Sequence, residues 1–549
     1  MLIRLLVIIA LLVSLPGRQP VSGSQPSASP KLLVVVVVDQ MRFDYLDRMR
    51  AHWTGGLKRL MTEGAIFERN FYPYLNTVTC AGHATIGTGS FPATHGIIMN
   101  AWWRGTRVAS CTNDASVGSL AYEPGEEAVG HSPAQLLVPT LGDRLRENSP
   151  ASKVVALSMK PRSAIMLAGQ QGVVAWLDDH DVWATSTAFA SAPNATLQAF
   201  ITANPREPLR QAVWSRMREP GAYSGTDDAP GEAPPPGWTT TFPHPLAGTP
   251  GTPPSVFPSL WERSPYADAF LTAMATSVVT GMKLGQGEAV DYLGLSFATL
   301  DYVGHAFGPD SHEVQDTLMR LDLAMGDLLT ALDTHVGRGR YVLGLSSDHG
   351  VAPIPEARQL AGEPGGRVVT QRVAEVANAA LVQTLGPGQH VARVEYTQVY
   401  LSESAQRLVA EDPRALEPAI AAIAALPGVD RVLRGAGLER ERTSQDPIVR
   451  SAALSHVPGR SGQLVVVPQR YYVIGSATAN GTTHGTHHPY DQQVPLIFFG
   501  AHVKPGRYQE PSTPADLAPS LAATIALPMP GADGVVQRQA FTTARDGRR

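Results

Sequence analysis

The chain carries little net charge and few cysteines. Its formal net charge is −4 over 549 residues, so bulk electrostatics give no indication of a nucleic-acid-binding protein. Charged residues make up 17% and hydrophobic residues 43%, which is typical of a globular protein and far from a disordered chain. Because a single compact core rarely holds this many residues, we expect one large domain with an insertion, or two domains.

A long apolar run of the kind that spans a bilayer is also missing from the N-terminus. Arg4 precedes a short apolar run, Leu5 to Leu15, and a polar stretch of small residues follows it. This layout predicts a secretory signal peptide in residues 1–23, and therefore a periplasmic or secreted protein. An N-terminal membrane anchor is the alternative, which the shortness of the run disfavours.

The two cysteines, Cys80 and Cys111, permit one disulfide in an exported protein. Such a bridge would contribute roughly 3 kcal/mol in the chain-entropy model. It would also brace the backbone beside Thr79. Two buried free thiols are the alternative that the sequence leaves open.

Apolar runs rich in β-branched residues predict the strands of a parallel sheet. In the run from Lys31 to Val38, every residue after the lysine is leucine or valine, which predicts a strand buried on both faces. Similar runs lie at 153–158, 291–298 and 340–345. Between them lie helix-like stretches such as 312–332, with apolar residues at helical spacing. This alternation predicts a doubly wound α/β fold with a mostly parallel sheet flanked by helices.

Two segments interrupt this alternation. Residues 220–258 hold eleven prolines and many small residues, which predicts a long surface loop or lid rather than a packed element. Residues 362–469 have their own strand and helix patterns and are predicted to form an inserted α+β cap. The predicted catalytic core then comprises residues 30–361 and 470–549.

Polar residues follow the ends of the predicted strands, at the edge where open α/β sheets bind ligands. The candidates for metal ligands are Asp39, Asp301, His305, Asp348, His349 and His484. Three carboxylates and three imidazoles suffice for two divalent metals of the zinc class, and two metals can clamp the oxygens of a phosphoryl transfer. Taken singly, each has an ordinary interpretation as a helix cap, a turn or a solvated loop.

Thr79 lies in the segment 76–83, NTVTCAGH. A threonine hydroxyl is a poor nucleophile that needs a base or a metal, and no separate base motif stands out, so metal activation is the economical hypothesis. The alternative is that Thr79 only caps a helix. Asn100, Lys160 and Arg162 are expected to bind phosphoryl oxygens, whereas a solvated Lys-Pro-Arg turn is the ordinary alternative for the two cations.

As a set, these residues resemble the alkaline phosphatase superfamily. The motifs are Asp39, 76–85, 96–100, 160–162, 301–305, 348–350 and 484–485. More narrowly, the chain is similar to the phosphate-irrepressible alkaline phosphatases of bacteria, which are related to the type I phosphodiesterase/nucleotide pyrophosphatases. The resemblance covers about residues 32–500 and implies two Zn²⁺ per chain with a covalent phosphothreonine on Thr79.

The resemblance also implies the distribution of the ligands. One zinc is implied to bind Asp301, His305 and His484, and the other Asp39, Asp348 and His349 together with Thr79. Lys160 and Arg162 match the monoesterases, because the diesterase relatives generally lack this pair and a diester carries only about one charge. The implied function is the hydrolysis of small-molecule phosphate monoesters with broad specificity, and we expect a monomer.

Three other functions are weighed against this one. A phosphodiesterase or nucleotide pyrophosphatase of the same superfamily is the first. A sulfatase is disfavoured because Cys80-Ala-Gly-His differs from the Cys-x-Pro-x-Arg of sulfatases. A catalytically inactive metal- or phosphate-binding protein is disfavoured because all six ligand candidates and the nucleophile are present.

Overall fold

The computed structural model describes residues 29–126, 128–476 and 480–542, so the predicted signal peptide lies outside the described residues. A ten-stranded sheet forms the centre. Its strands in chain order are β1 (Leu32–Val38), β2 (Ala65–Phe67), β3 (Ser119–Ala121), β4 (Val154–Ser158), β5 (Val173–Leu177), β6 (Trp183–Ser186), β7 (Asp291–Phe297), β8 (Tyr341–Ser346), β9 (Leu496–Gly500) and β10 (Gly506–Tyr508). Their order across the sheet is β10-β2-β9-β8-β1-β7-β4-β5-β6-β3.

The middle of the sheet is parallel. β1 pairs in parallel with β7 and β8, and β4 and β5 continue this arrangement beyond β7. Only β9 and β6 run against their neighbours. The predicted fold, a mostly parallel sheet flanked by helices, is confirmed, and four of the predicted apolar runs are β1, β4, β7 and β8.

Helices cover both faces of this sheet. They are Gly56–Glu63, Thr79–Thr88, Leu141–Asn148, Pro161–Ala168, Ala195–Ala203, Pro265–Gly281, Thr299–Phe307, His312–Leu332 and Leu517–Ala523. His312–Leu332 has the predicted bounds, and the Ser311 hydroxyl caps it by accepting from the Val314 N–H. Among the described helices, none combines the length and apolar composition that a membrane crossing requires.

β1 contributes to two hydrophobic cores because successive side chains of a strand point to opposite faces. Leu32, Val34, Val36 and Val38 belong to the core under helices Pro265–Gly281 and His312–Leu332, whereas the side chains between them belong to the core on the other face. All seven residues of β1 are buried. Each fully buried valine or leucine contributes roughly 1.5–3 kcal/mol, which explains a run without polar residues.

A second, antiparallel sheet lies within the predicted cap. Its strands, in spatial order, are Val391–Glu395, Gln398–Leu401, Leu464–Pro468 and Val429–Arg434. Helices Thr370–Leu385 and Glu417–Ala424 pack on it and share its separate hydrophobic core. Further helices in this part of the chain are Pro355–Leu360, Glu403–Glu411 and Pro447–Leu454. The limits 362–469 stay a prediction, since strand Gly366–Val369 pairs with Tyr472–Gly475 across them.

The proline-rich segment 220–258 is a loop, but it is packed. Its regular structure is limited to short 3-10 turns and a two-residue strand before a helix begins at Phe257. Trp238, His244 and Leu246 are buried in it. The predicted surface loop is therefore present, and these three side chains anchor it to the protein core.

Glu313 is a buried carboxyl beneath this loop. Its Oε1 lies 2.9 Å from the Nε2 of His244, and both side chains are fully inaccessible. Burial raises the pKa of Glu313 to about 9 and lowers the pKa of His244 to about 3. The pair therefore stays uncharged at neutral pH, because an isolated charge at this depth would lack water.

We expect Glu313 to make the folding stability fall as the pH rises from its usual pKa of 4.5 to about 9. Over this range the folded carboxyl keeps a proton that the unfolded one releases, so the unfolded state is favoured with rising pH. As the pH rises from 5 to 9, the free energy of unfolding of Glu313→Gln should increase by at least about 1 kcal/mol relative to that of the parent. Chemical denaturation at each pH measures this difference. Glu207→Gln, at an exposed side chain, is the control. A difference that is constant with pH would contradict the prediction.

Candidate active site

The six ligand candidates meet at the carboxyl edge of the central strands. Asp39 directly follows β1, and Asp348 and His349 come just after β8. Asp301 lies in the first turn of helix Thr299–Phe307, which follows β7, and His305 is one turn further on the same side of the helix. Since β1, β7 and β8 are adjacent and parallel, their ends deliver these side chains to one place.

Asp301, His305 and His484 form the first group. The Oδ1 of Asp301 lies 3.2 Å from the Nε2 of His305 and 3.8 Å from the Nε2 of His484. One ligand atom from each residue lies within 4.8 Å of the others. Three atoms at this separation can surround one ion with bonds of about 2 Å.

Asp39, Asp348 and His349 lie beside the first group. The Nε2 of His349 is 3.5 Å from Asp39 Oδ1 and 3.4 Å from Asp348 Oδ2. Asp39 Oδ1 is buried and forms no hydrogen bond with the described residues, while Asp348 Oδ2 also lies 3.1 Å from the Nδ1 of His83. Buried polar atoms are normally paired, so an unpaired carboxylate oxygen facing an imidazole fits a cation. Asp39 and His349 also lie within ligand distance of Asp301, so the two groups adjoin.

The three imidazoles share a contact that sets their tautomer. In each ring Nδ1 lies 2.9–3.0 Å from a backbone carbonyl oxygen: His305 at Thr482, His349 at Gly350 and His484 at Thr77. A carbonyl oxygen can only accept, so Nδ1 carries a proton in each ring, and Nε2, which is turned toward the carboxylates, is the nitrogen left for a cation. Metal-binding histidines are held in this way in proteins.

Charge is concentrated where the two groups adjoin. Lys160 is buried, and its Nζ lies 2.7 Å from Asp39 Oδ2 and 2.5 Å from Asp301 Oδ2. Burial together with Asp301 and Asp348 raises the pKa of Asp39 well above its usual value. Burial acts in the same sense on Asp301, but Lys160 and then His305 outweigh it, so the pKa of Asp301 lies well below its usual value. An excess of buried acid of this kind favours bound cations.

Thr79 is the first residue of helix Thr79–Thr88. Val78 occupies the N-cap position and no side chain caps the helix, so the alternative that Thr79 is only a cap is wrong. The hydroxyl of Thr79 lies 3.4 Å from the Nε2 of His349. A Cβ on Gly82 would lie 2.2 Å from the backbone oxygen of Asp348, so a glycine here lets the helix approach the second group.

Asn100 and Arg162 both keep donors available. The side-chain oxygen of Asn100 accepts from the backbone N–H of Cys80 at 2.8 Å, which leaves its amide N–H groups for other partners and places it next to Thr79. The Nε of Arg162 is buried without a hydrogen-bond partner among the described residues. A buried guanidinium donor of this kind suits a phosphate oxygen. Lys160 is buried as well, so the solvated-turn alternative is wrong for it.

Cys80 and Cys111 form a disulfide, so the free-thiol alternative is wrong. The backbone N–H of Cys111 donates to the backbone oxygen of Asn100 at 2.9 Å. The bridge therefore joins the residue after Thr79 to the residues that hold Asn100. Because Cys80 is bonded, it is also not a free precursor of the formylglycine that a sulfatase needs.

We expect the double variant Cys80→Ala/Cys111→Ala to unfold more easily by about 3–4 kcal/mol, since the bridge closes a loop of 31 residues. We also expect a lower kcat with a smaller change in KM, because Thr79 and Asn100 would be held less rigidly. Denaturation and steady-state kinetics with and without a thiol reductant measure both effects. The reductant should lower the parent's stability and leave the variant unchanged; equal stabilities for parent and variant would contradict the prediction.

Two buried residues at the site were not predicted from the sequence. The Nδ1 of His83 lies 2.8 Å from the backbone oxygen of Thr79 and 3.1 Å from Asp348 Oδ2, and its Nε2 lies 2.7 Å from the hydroxyl of Ser296. His83 comes four residues after Thr79 in the sequence, and this spacing of one helical turn could have indicated that His83 lies beside Thr79. The other is Gln40, directly after Asp39, which contacts both groups.

Known proteins are similar to this chain over most of its length. The family described as type I phosphodiesterase / nucleotide pyrophosphatase matches residues 33–491. Alkaline phosphatase PafA of Elizabethkingia meningoseptica is 31% identical over 525 residues, which cover 91% of this chain and 92% of that protein. Alkaline phosphatase PhoV of Synechococcus elongatus is 31% identical over 527 residues, covering 93% of each.

A solved structure is also similar over the whole length. The crystal structure of wild-type alkaline phosphatase PafA covers 94% of this chain and 100% of its own, with a TM-score of 0.85 and 29% sequence identity. The likeness extends over the large sheet and the smaller antiparallel one. With most of its length matched by the family and relatives above 30% identity, this chain belongs to the type I phosphodiesterase / nucleotide pyrophosphatase family, within the alkaline phosphatase superfamily.

Proposed function

We propose that this protein is an alkaline phosphatase that hydrolyses phosphate monoesters with broad specificity, using two Zn²⁺ per chain and a phosphothreonine on Thr79. The relatives named alkaline phosphatase, which match nine tenths of the chain, support a hydrolase of phosphate esters. The observation that carries the proposal is the set of three imidazoles, each held at Nδ1 by a backbone carbonyl with its Nε2 turned toward buried carboxylates, beside a threonine hydroxyl.

The residues present fit two zinc ions. Asp301, His305 and His484 would hold one, and Asp39, Asp348 and His349 with Thr79 would hold the other. Mixed oxygen and imidazole ligands suit zinc, and the adjoining groups suit a pair of ions. Bound there, the ions would lower the pKa of the Thr79 hydroxyl and stabilise charge on the departing ester oxygen.

Thr79 supplies the attacking oxygen in the proposed mechanism. Its place at the start of helix Thr79–Thr88 brings the positive end of this helix near the phosphoryl group, where it favours an anion. The Oγ1–P bond forms as the ester O–P bond breaks, and water then displaces Thr79 to release phosphate. Two in-line displacements predict net retention of configuration at phosphorus.

Asn100, Lys160 and Arg162 would bind the non-bridging oxygens. A monoester carries about two charges near neutral pH and a diester about one, so two cations serve the monoester better. The free N–H groups of Asn100 and the unpaired Nε of Arg162 are donors for this purpose. The two cations therefore favour the monoesterase over the phosphodiesterase alternative.

We expect the parent to have a higher kcat/KM on an aryl phosphate monoester than on a bis-aryl phosphate diester. Arg162→Ala should lower the monoester value about 10–100-fold, because a hydrogen bond to a charged group contributes about 1.5–3 kcal/mol, and should lower the diester value less. Arg144→Ala, at a surface arginine paired with Glu147, is the matched control and should change neither. A strong preference of the parent for the diester would point to a phosphodiesterase.

We also propose that residues 362–469 are an inserted cap that steadies the loop before Thr79. The Ser455 hydroxyl accepts from the backbone N–H groups of Leu75 and Asn76, and the Thr397 hydroxyl donates to Asn76. These contacts end at Asn76, three residues before Thr79. A periplasmic or secreted, monomeric enzyme completes the proposal, and the disulfide agrees with an oxidising compartment.

A further inference from the structure

We propose that Gln40 is a positioning residue that holds one carboxylate of each metal group and thereby controls metal affinity at both. The inference rests on the proposed two-metal site, and it assigns a role to a residue that would touch neither metal nor substrate, through its side-chain amide at Asp301 and its backbone N–H at Asp348. It is drawn from the hydrogen bonds of Gln40, from its backbone conformation and from the glycine packed against it.

Gln40 contacts both groups through separate donors. Its Nε2 donates to Asp301 Oδ1 at 2.6 Å and lies 3.3 Å from the backbone oxygen of the same residue. Its backbone N–H donates to Asp348 Oδ1 at 3.1 Å. Asp301 belongs to the first group and Asp348 to the second, while Asp39 is the preceding residue. All three carboxylates of the site are therefore tied to one dipeptide.

The backbone of Gln40 is in the left-handed region, with φ of 69°. Residues with a Cβ rarely adopt this conformation, and it is kept where the surroundings enforce it. Gln40 has only 1% of its surface exposed, so the conformation is not that of a free surface turn. In this conformation the backbone N–H and the side-chain amide serve two different carboxylates.

Gly304 packs against the side chain of Gln40. A Cβ built on Gly304 would lie 1.8 Å from the Oε1 of Gln40. Gly304 lies inside a helix, between Asp301 and His305, where glycine is less favourable than alanine. Two conformationally unfavourable features therefore occur together at the Gln40 amide. They are the left-handed backbone of Gln40 and the glycine within a helix, which leaves room for the amide.

The hydrogen bond to Asp301 is compatible with metal binding. A carboxylate oxygen has two lone pairs, so Oδ1 can accept from Gln40 and still face the Nε2 atoms of His305 and His484. Lys160 occupies the other oxygen, Oδ2. Partners that orient a ligand in this way typically change metal affinity about 10–100-fold when they are removed.

The first test is Gln40→Gly, which removes the amide and relieves the backbone. We expect zinc affinity, measured by competition with a chromophoric chelator, to fall about 10–100-fold. The metal-free variant should unfold no more easily than Lys283→Gly, the matched control at an exposed left-handed residue. Unchanged zinc affinity and stoichiometry in Gln40→Gly would overturn the inference.

The second test asks whether Gly304 acts through Gln40. Gly304→Ala should displace the amide and weaken zinc binding by a similar factor. In the Gln40→Gly background, Gly304→Ala should lower zinc affinity little, because the side-chain oxygen that the new methyl group would clash with is absent. Sub-additive losses in this double-mutant cycle support the inference, and additive losses would contradict the link between the two residues. Should Gly304→Ala fail to fold, Gln40→Gly decides alone.

Asp301→Ala separates this inference from the proposed function. If Asp301→Ala keeps full zinc content and activity, the two-metal site itself is wrong. If Asp301→Ala loses zinc while Gln40→Gly binds it as the parent does, the site stands and the role of Gln40 falls. We expect both Asp301→Ala and Gln40→Gly to bind zinc more weakly than the parent, with the larger loss of affinity in Asp301→Ala.

Discussion

Thr79→Ala is expected to lower kcat/KM for an aryl phosphate monoester by at least about 1000-fold, because removal of a nucleophile leaves only binding and electrostatic stabilisation. The zinc content should change little, since three other side chains in its group remain. Thr79→Ser, which keeps a hydroxyl, should retain most of the activity. Steady-state kinetics together with metal analysis measure these effects.

The matched control for this variant is Thr62→Ala, at an exposed threonine of another helix. Acid quenching of the parent during turnover should trap phosphate on Thr79, and the same treatment of Thr79→Ala should trap none. Full activity in Thr79→Ala would rule out the nucleophile. Inversion of configuration at phosphorus would rule out the covalent intermediate while leaving a two-metal hydrolase in place.

Asp301→Ala is expected to lower kcat/KM for the monoester by a factor similar to that of Thr79→Ala, at least about 1000-fold. It is also expected to lower the zinc content. Asp301 is the carboxylate that lies within ligand distance of both groups, and it also pairs with Lys160. Its loss removes a ligand and leaves Lys160 with one fewer buried partner, a change that typically costs several kcal/mol. Metal analysis, kinetics and thermal unfolding on the same preparation measure the three effects.

Chelation supplies an independent comparison. The parent stripped by a chelator should lose its activity and recover it when Zn²⁺ is restored, whereas Asp301→Ala should recover little. Asp310→Ala removes an exposed carboxylate that pairs with Arg48 on the surface, and it should behave as the parent in every assay. Activity that survives complete removal of metal would contradict the proposed mechanism.

The strands and the edge that carries the site could be predicted from local patterns. The run at β1 is apolar throughout because both faces of the central strand are covered, and that pattern is visible without tertiary information. The carboxyl ends of parallel neighbours share one edge, so Asp39, Asp301 and Asp348 could be expected together. Asp301 and His305 are four residues apart, a spacing that puts both on one face of the helix that the structure shows there.

Other features depended on contacts between distant parts of the chain. The packing of the proline-rich loop required Trp238 and His244 to meet the protein core, and prolines alone indicated only a loop. The disulfide required Cys80 and Cys111 to face each other. Gln40 could not be identified from the sequence, because neither its left-handed backbone nor its contacts with Asp301 and Asp348 have a local sequence pattern.

By itself, the sequence determined the fold class, the order of the strands along the chain and the residue types available at the sheet edge, because burial and strand or helix period act over neighbouring residues. Only the tertiary structure decided which nitrogen of each histidine faces the carboxylates, that Thr79 is not a helix cap, and how Gln40 joins the two groups. These outcomes depend on backbone carbonyls, close packing and hydrogen bonds between residues up to hundreds of positions apart, which no local pattern records.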